Sequence, residues 1–170
     1  LAGLPALQVV FARYSMHLVL SLVLFLPREG LSALRSNAPY RQAMRSTFLF
    51  VSTAMNFTAL KYLPITVTTT IMFAGPIVVT FLAIPILKEK VGIHRMLAVC
   101  VGFVGVVVVM QPWGTAFHPA MFLNLGALCG ASLYFILTRM LAGIESNATS
   151  QIWSSGLATI CIAPFAFSVW

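Results

Sequence analysis

Aspartate is absent from the chain, and its only acids are Glu29, Glu89 and Glu145, each in a stretch read as a loop between apolar runs. That scarcity excludes several functions. A carboxylate proton relay inside the helices has no residues to run on, and an organic cation has no buried acid to meet it. Metal-assisted chemistry in a membrane enzyme needs paired carboxylates or a His/Asp cluster, and neither is present. No serine, histidine and acid can be assembled as a triad at membrane depth. The chain is therefore read as a non-enzyme without a cofactor. Charge of either sign is scarce as well: 8% of the residues are charged and 60% are hydrophobic, where a soluble domain carries about 25% charged residues. Too few polar groups remain to coat a water-facing surface. Cys100, Cys129 and Cys161 lie inside apolar runs without metal-ligand spacing and read as small buried hydrophobes. The roughly ten-residue alternating segments of a membrane β-barrel are missing. The start lacks the charged region and small-residue cleavage site of a signal peptide. It also lacks a methionine, so the chain is expected to be a fragment without its true beginning.

What is present is six apolar runs, at 5–26, 46–60, 65–87, 96–110, 120–137 and 152–170. A run of about 20 apolar residues crosses the hydrocarbon layer as a helix, the form that satisfies its own backbone there. The expected fold class is all-α integral membrane: a polytopic bundle of six transmembrane helices. The net charge of +7 does not indicate nucleic acid, because the basic residues cluster between the runs. Arg28, Arg35, Arg41, Arg45, Lys88, Lys90, Arg95 and Arg139 fall on one side, and Lys61 alone on the other. The first side is read as cytoplasmic, with loops at 27–45, 88–95 and 139–151. Trp113 and Trp170 then settle at the outer interface and Trp153 at the inner one. The second and fourth runs have about 15 residues and cover only about 22 Å. Snorkelling of Lys61 and Arg95, or local thinning, is expected to make up the rest.

Polar residues inside the runs mark faces. Arg13, His17 and Ser21 form an i, i+4, i+8 stripe in the first run, with Tyr14 at its edge. An arginine there either faces a water-filled pathway or snorkels to the outer headgroups. His17 reads as a hydrogen-bonded interior histidine or a titrating group. In the second run Ser52, Thr53 and Asn56 share a face; Asn56 either joins two helices or touches a substrate. In the third run Thr66, Thr69, Thr70 and Thr80 share an arc with Phe73 and Pro76, opposite Thr68 and Gly75. Pro76 lacks an N–H and frees a carbonyl near residue 72. The result is either a midplane site of the broken-helix kind or a plain kink satisfied by threonine hydroxyls. Ala98, Gly102 and Gly105 in the fourth run, and Gly126 and Gly130 in the fifth, read as close helix packing. Tyr134 continues the latter face and could line a cavity.

The block ALKYLPITVTTTIMFAGPIVVTFLAIPILKEKVGIHRMLAVCVGFVGVVVVM, residues 59–110, resembles the EamA-type domain of the drug/metabolite transporter superfamily. The resemblance rests on Ala59-Leu60-Lys61-Tyr62, Pro76, Lys88-Glu89-Lys90, Arg95, Gly102 and Gly105. The family usually has Gly-Glu where this chain has Lys88-Glu89. Gln8-Val-Val-Phe-Ala-Arg13 also resembles the family's second helix, which often carries an arginine there. The resemblance implies a ten-helix transporter of two five-helix inverted repeats. This chain would supply helices two to seven, with 1–113 in the first repeat and 114–170 opening the second. Gln8-Val9 and Gln151-Ile152 would occupy corresponding positions. Relatives of this general kind carry S-adenosylmethionine, riboflavin, amino acids and other metabolites, and no residue here selects among them.

The expected function is therefore secondary transport of a small metabolite across the inner membrane. Access would alternate around a midplane cavity lined by the first, second, third and fifth runs. Arg13, His17, Asn56, Thr66, Thr70, Pro76 and Tyr134 are the candidate pathway residues. Arg13 would attract the substrate, Asn56, Thr70 and Tyr134 would hydrogen-bond it, and Pro76 would bend the helix. A cationic stripe without acids favours an anionic or zwitterionic substrate. The bilayer is the other expected partner; oligomeric state is left open. The second reading is a non-transporting membrane subunit or an inactive truncated product.

Overall fold

The computed structural model describes residues 6–88, 92–111 and 117–168. These form helices α1 (Ala6–Glu29), α2 (Pro39–Ala59), α3 (Ile65–Met72), α4 (Gly75–Leu87), α5 (Ile93–Met110), α6 (Ala120–Leu141) and α7 (Asn147–Ser168). A short 3₁₀ turn, Gly30–Leu34, follows α1. Gly30 starts it at φ 64°, a left-handed conformation that glycine adopts without a Cβ clash. No strand occurs among the described residues. Glu89, Lys90, Trp113, Trp170 and the Arg95 side chain lie outside the described residues.

The helices stand where the apolar runs are, with three corrections. The second run is longer than its apolar part. α2 starts at Pro39 and has 21 residues, about 31 Å at 1.5 Å per residue, so the expected shortfall against the bilayer disappears. Pro39 suits a first helical position, where no N–H is needed. Charge in PYRQAMR masked a helical segment that merely extends beyond the apolar belt. Glu29 likewise belongs to the last turn of α1 rather than to a loop. The cysteines are the third correction, since Cys100, Cys129 and Cys161 are all exposed. Leu128 and Ile162, beside two of them, take the inward positions. An outward thiol behaves in hydrocarbon as another small apolar group.

The chain divides into two compact units, Leu1–Phe50 with Leu137–Trp170, and Val51–Ile136, the divisions falling within α2 and α6. In the first, α1 packs along α7, and Leu18, Leu22 and Phe25 close over Ala33, Ala148 and Ile152. Ser146 caps α7, its Oγ accepting the Thr149 N–H at 3.1 Å. In the second unit Ala59, Leu63, Ile71, Ala74, Met121 and Leu128 form the core, with α3 and α4 against α5. A Cβ on Gly102 would lie 2.0 Å from Ile77 Cδ1, which explains the small residue where α5 crosses α4. Gly126 is similarly tight, 2.4 Å from Met55 Cε.

The outward surface is apolar. Val23 on α1 is 64% exposed, and Val101 and Phe103 on α5 are 72% and 64% exposed. Ile65–Leu87 and Ala120–Leu141 are long and apolar enough to cross a membrane, as is the stretch from Gln8 through Leu34.

Candidate functional site in the broken third span

The third apolar run is two helices. α3 stops at Met72, Phe73 and Ala74 turn, and α4 starts at Gly75. Pro76 has no N–H to return to the Met72 carbonyl. The Ala74 N–H bonds Ile71 O at 3.0 Å, and the Ile77 N–H bonds Ala74 O at 3.0 Å, both i→i−3 contacts. The α-helical ladder is thus interrupted at the middle of a span, where broken helices of transport proteins expose backbone to a substrate.

The break has two unlike sides. Ile71 and Ala74 are buried, and Gly75 lies against Leu128 of α6. On the other side Thr66, Thr69, Thr70 and Pro76 are exposed, and Phe73 is 81% exposed. The arc expected from the helical wheel is therefore the open face. Its hydroxyls donate inward: Thr69 Oγ1 to Ile65 O at 2.8 Å, Thr70 Oγ1 to Thr66 O at 2.7 Å, and Thr80 Oγ1 to Pro76 O at 2.8 Å. Their oxygens are left to act as acceptors. A groove of about 240 Å³ runs beside the break, lined by Thr70, Phe73, Ala74, Ile77, Gly102 and Gly105. A larger cavity of about 500 Å³, lined by Phe81, Met96, Cys100 and Phe103 among others, is wholly apolar and offers a polar metabolite no anchor.

The closed side is held by amides. Asn124 is fully buried, and its Nδ2 donates to Thr68 O at 3.2 Å. Its Oδ1 accepts from Asn56 Nδ2 at 3.4 Å. Asn56 thus joins helices, one of the two roles open to it from sequence. Nearby, Ser52 Oγ donates to Ala127 O at 2.6 Å. Thr68 Oγ1 is buried without a partner. Its usual acceptor, the Pro64 carbonyl, already takes the N–H of Val67 at 3.1 Å and of Thr68 at 3.2 Å.

Asn56, Thr66, Thr70, Pro76 and Tyr134 belong to one unit, and Arg13 and His17 to the other. Tyr134 is half-buried and meets Phe135 edge to face at 5.3 Å. Arg13 is exposed, its guanidinium carbon 5.9 Å from the Tyr14 ring centroid. His17 is half-buried and Ser21 is buried. The stripe rotates from open to closed because four helical residues overshoot one turn by about 40°. No group of three or more metal-ligating side chains is found among the described residues.

Two residues escaped the sequence reading. Asn124 is the one amide side chain in its run, and that was its signal. Arg45 was assigned to a loop, yet it is 3% exposed. Its Nε donates to Thr138 Oγ1 at 2.7 Å, and its Nη1 to Ser150 O and Ser154 Oγ, both at 3.0 Å. Gln42, Arg45 and Ser46, at i, i+3 and i+4, all lie buried on one face of α2.

A helical chain with an apolar outer surface and a span broken at its centre is a polytopic integral membrane protein of the transporter class. Residues 1–111 match the EamA-like transporter family, and the chain belongs to that family, within the drug/metabolite transporter superfamily. It is similar to the S-adenosylmethionine uptake transporter of Rickettsia prowazekii (strain Madrid E), 28% identical over 169 residues, covering 98% of this chain and 56% of that protein. A riboflavin transporter of Rhizobium johnstonii is 30% identical over 157 residues, covering 91% of this chain and 51% of that one. A riboflavin transporter of Vibrio cholerae is 26% identical over 165 residues, covering 96% and 54%. These relatives are transporters, not enzymes. The chain spans about half the length of the curated relatives it matches. No solved structure matches it.

Proposed function

We propose that the chain forms part of a secondary transporter that carries a small metabolite across the inner membrane by alternating access. The broken third span is the observation that carries this reading: its outward threonine arc sets hydroxyl oxygens beside an interrupted backbone. In this reading residues 1–113 belong to one five-helix repeat and 114–170 to a second, inverted one, within a ten-helix whole. The α1–α2 and α6–α7 connectors, with the helix ends beside them, and the charged stretch 88–95 face the cytoplasm; residues 39–45, expected as loop, are the first turns of α2, and 147–151 the first turns of α7.

Thr66 and Thr70 accept hydrogen bonds from N–H or O–H groups of the substrate, and Phe73 and Tyr134 offer ring faces. Arg13 draws an anionic group toward the pathway, with His17 beside it. Pro76 keeps the backbone open, and Asn56 holds the closed side in place through Asn124. The relatives named for S-adenosylmethionine and riboflavin support a ring-bearing metabolite. An anionic or zwitterionic one suits this chain best, since its spans hold no acid to meet a lone cation.

The test is flux in vesicles containing the natural full-length protein. Arg13→Ala should reduce flux several-fold while membrane insertion is unchanged; undiminished flux would remove Arg13 from the pathway.

A further inference from the structure

The connector between α1 and α2 is hydrogen-bonded to the connector between α6 and α7 and to the start of α7. Glu145 Oε1 accepts from Ser36 Oγ at 2.6 Å and from the Ala38 N–H at 2.7 Å. Asn37 Nδ2 donates to Ile144 O at 3.1 Å. Ser146 Oγ donates to Glu29 Oε2 at 2.9 Å, and Trp153 Nε1 donates to Leu34 O at 3.1 Å. Arg45 lies deeper and ties α2 to Thr138, Ser150 and Ser154. Both glutamates among the described residues are thus engaged in one seam, although the protein as a whole is strongly basic.

The seam is not a uniformly satisfied structural joint. Glu145 Oε2 is buried without a partner, and so are both side-chain polar atoms of Gln42, a fully buried residue one turn before Arg45. Buried polar atoms left unpaired oppose the closed arrangement. The same contacts therefore hold the connectors together and keep the margin of closure small. A closed state held by so small a margin suits a joint that opens and closes.

We infer that this seam is the cytoplasmic gate of the transporter, with Glu145 as its acceptor and Arg45 as its inner bolt. The inference rests on the two-repeat, positive-inside reading above, in which residues 29–45 belong to the first repeat and 138–154 to the second. Rocking of one repeat against the other then has to break these bonds to open the inner side. The structure holds the gate shut.

The test uses the natural full-length protein with its cysteines replaced, and two independent readouts. The first is the rate at which a water-soluble maleimide, applied from the cytoplasmic side, labels Ser154→Cys. Adding Glu145→Ala should raise that rate on the order of tenfold, because two bonds to a carboxylate are lost; Glu145→Gln should fall between. The second is metabolite flux in Ser36→Cys/Glu145→Cys, bridged by a short bifunctional thiol reagent. Bridging should abolish flux, and cleaving the bridge should restore it. An unchanged labelling rate overturns the gate, and so does flux that continues through the bridged protein. Faster labelling in a protein that carries no metabolite overturns the transport reading, and with it the seam's role as a transport gate, and shows the seam only as a joint that opens.

Discussion

Asn124 donates from Nδ2 to the carbonyl of Thr68 across 3.2 Å, one helical turn before α3 ends. A fully buried amide of α6 thereby fixes the last regular turn ahead of the break. Asn56 of α2 completes the chain through the Asn124 oxygen. The break at Phe73–Ala74 is therefore held from one side and open on the other.

That arrangement makes Asn56 and Asn124 energetically coupled. Asn124→Leu should destabilise the protein by about 0.6 kcal/mol, and by no more than about 2 kcal/mol. Asn56→Ala made on top of Asn124→Leu should cost less than Asn56→Ala alone, since its acceptor is already gone. A double-mutant cycle measured by reversible unfolding in mixed micelles checks this. Strict additivity would show that the 3.4 Å contact contributes nothing.

Pro76→Ala supplies an N–H in register with the Met72 carbonyl and allows α3 and α4 to join. Amide exchange at Ala74 and Ile77, the residues now in i→i−3 contacts, should slow about tenfold or more, while flux falls. Stability should change little, because Pro76 stands in the first turn of α4, where proline is tolerated. Faster exchange at both amides would mean that the break does not depend on the missing donor.

Arg45 tests the cross-link of α2 to α6 and α7. Arg45→Ala removes the buried donor that reaches Thr138 and Ser154, and should cost roughly 2–3 kcal/mol in an unfolding measurement. Arg45→Lys should recover only part of this, because an ammonium cannot reproduce the fork that reaches both helices. Full recovery with lysine would reduce Arg45 to a charge.

The all-helical membrane class, the positions of the apolar runs and the break at Pro76 were legible in the sequence because each has a local cause. Run length sets the helices, and a missing N–H sets the break. The threonine arc was legible because α3 is too short for helical drift to turn its face. Asn124 and Arg45 were harder to read. A lone amide in an apolar run shows that it needs a partner but not which helix supplies it. Arg45 was hidden because charge near a run's edge looks like loop, while three neighbouring hydroxyl and carbonyl groups make its burial tolerable. The outward cysteines were misjudged by a rule for water-soluble cores, where a small apolar side chain turns inward.

Vesicles containing the natural full-length protein should show saturable uptake or efflux of at least one small ring-bearing metabolite, reduced several-fold by Thr70→Val, which removes the hydroxyl of a residue lining the groove beside the break. Folded, inserted protein that moves no metabolite, or moves it equally well without the Thr70 hydroxyl and the Arg13 guanidinium, would contradict the account.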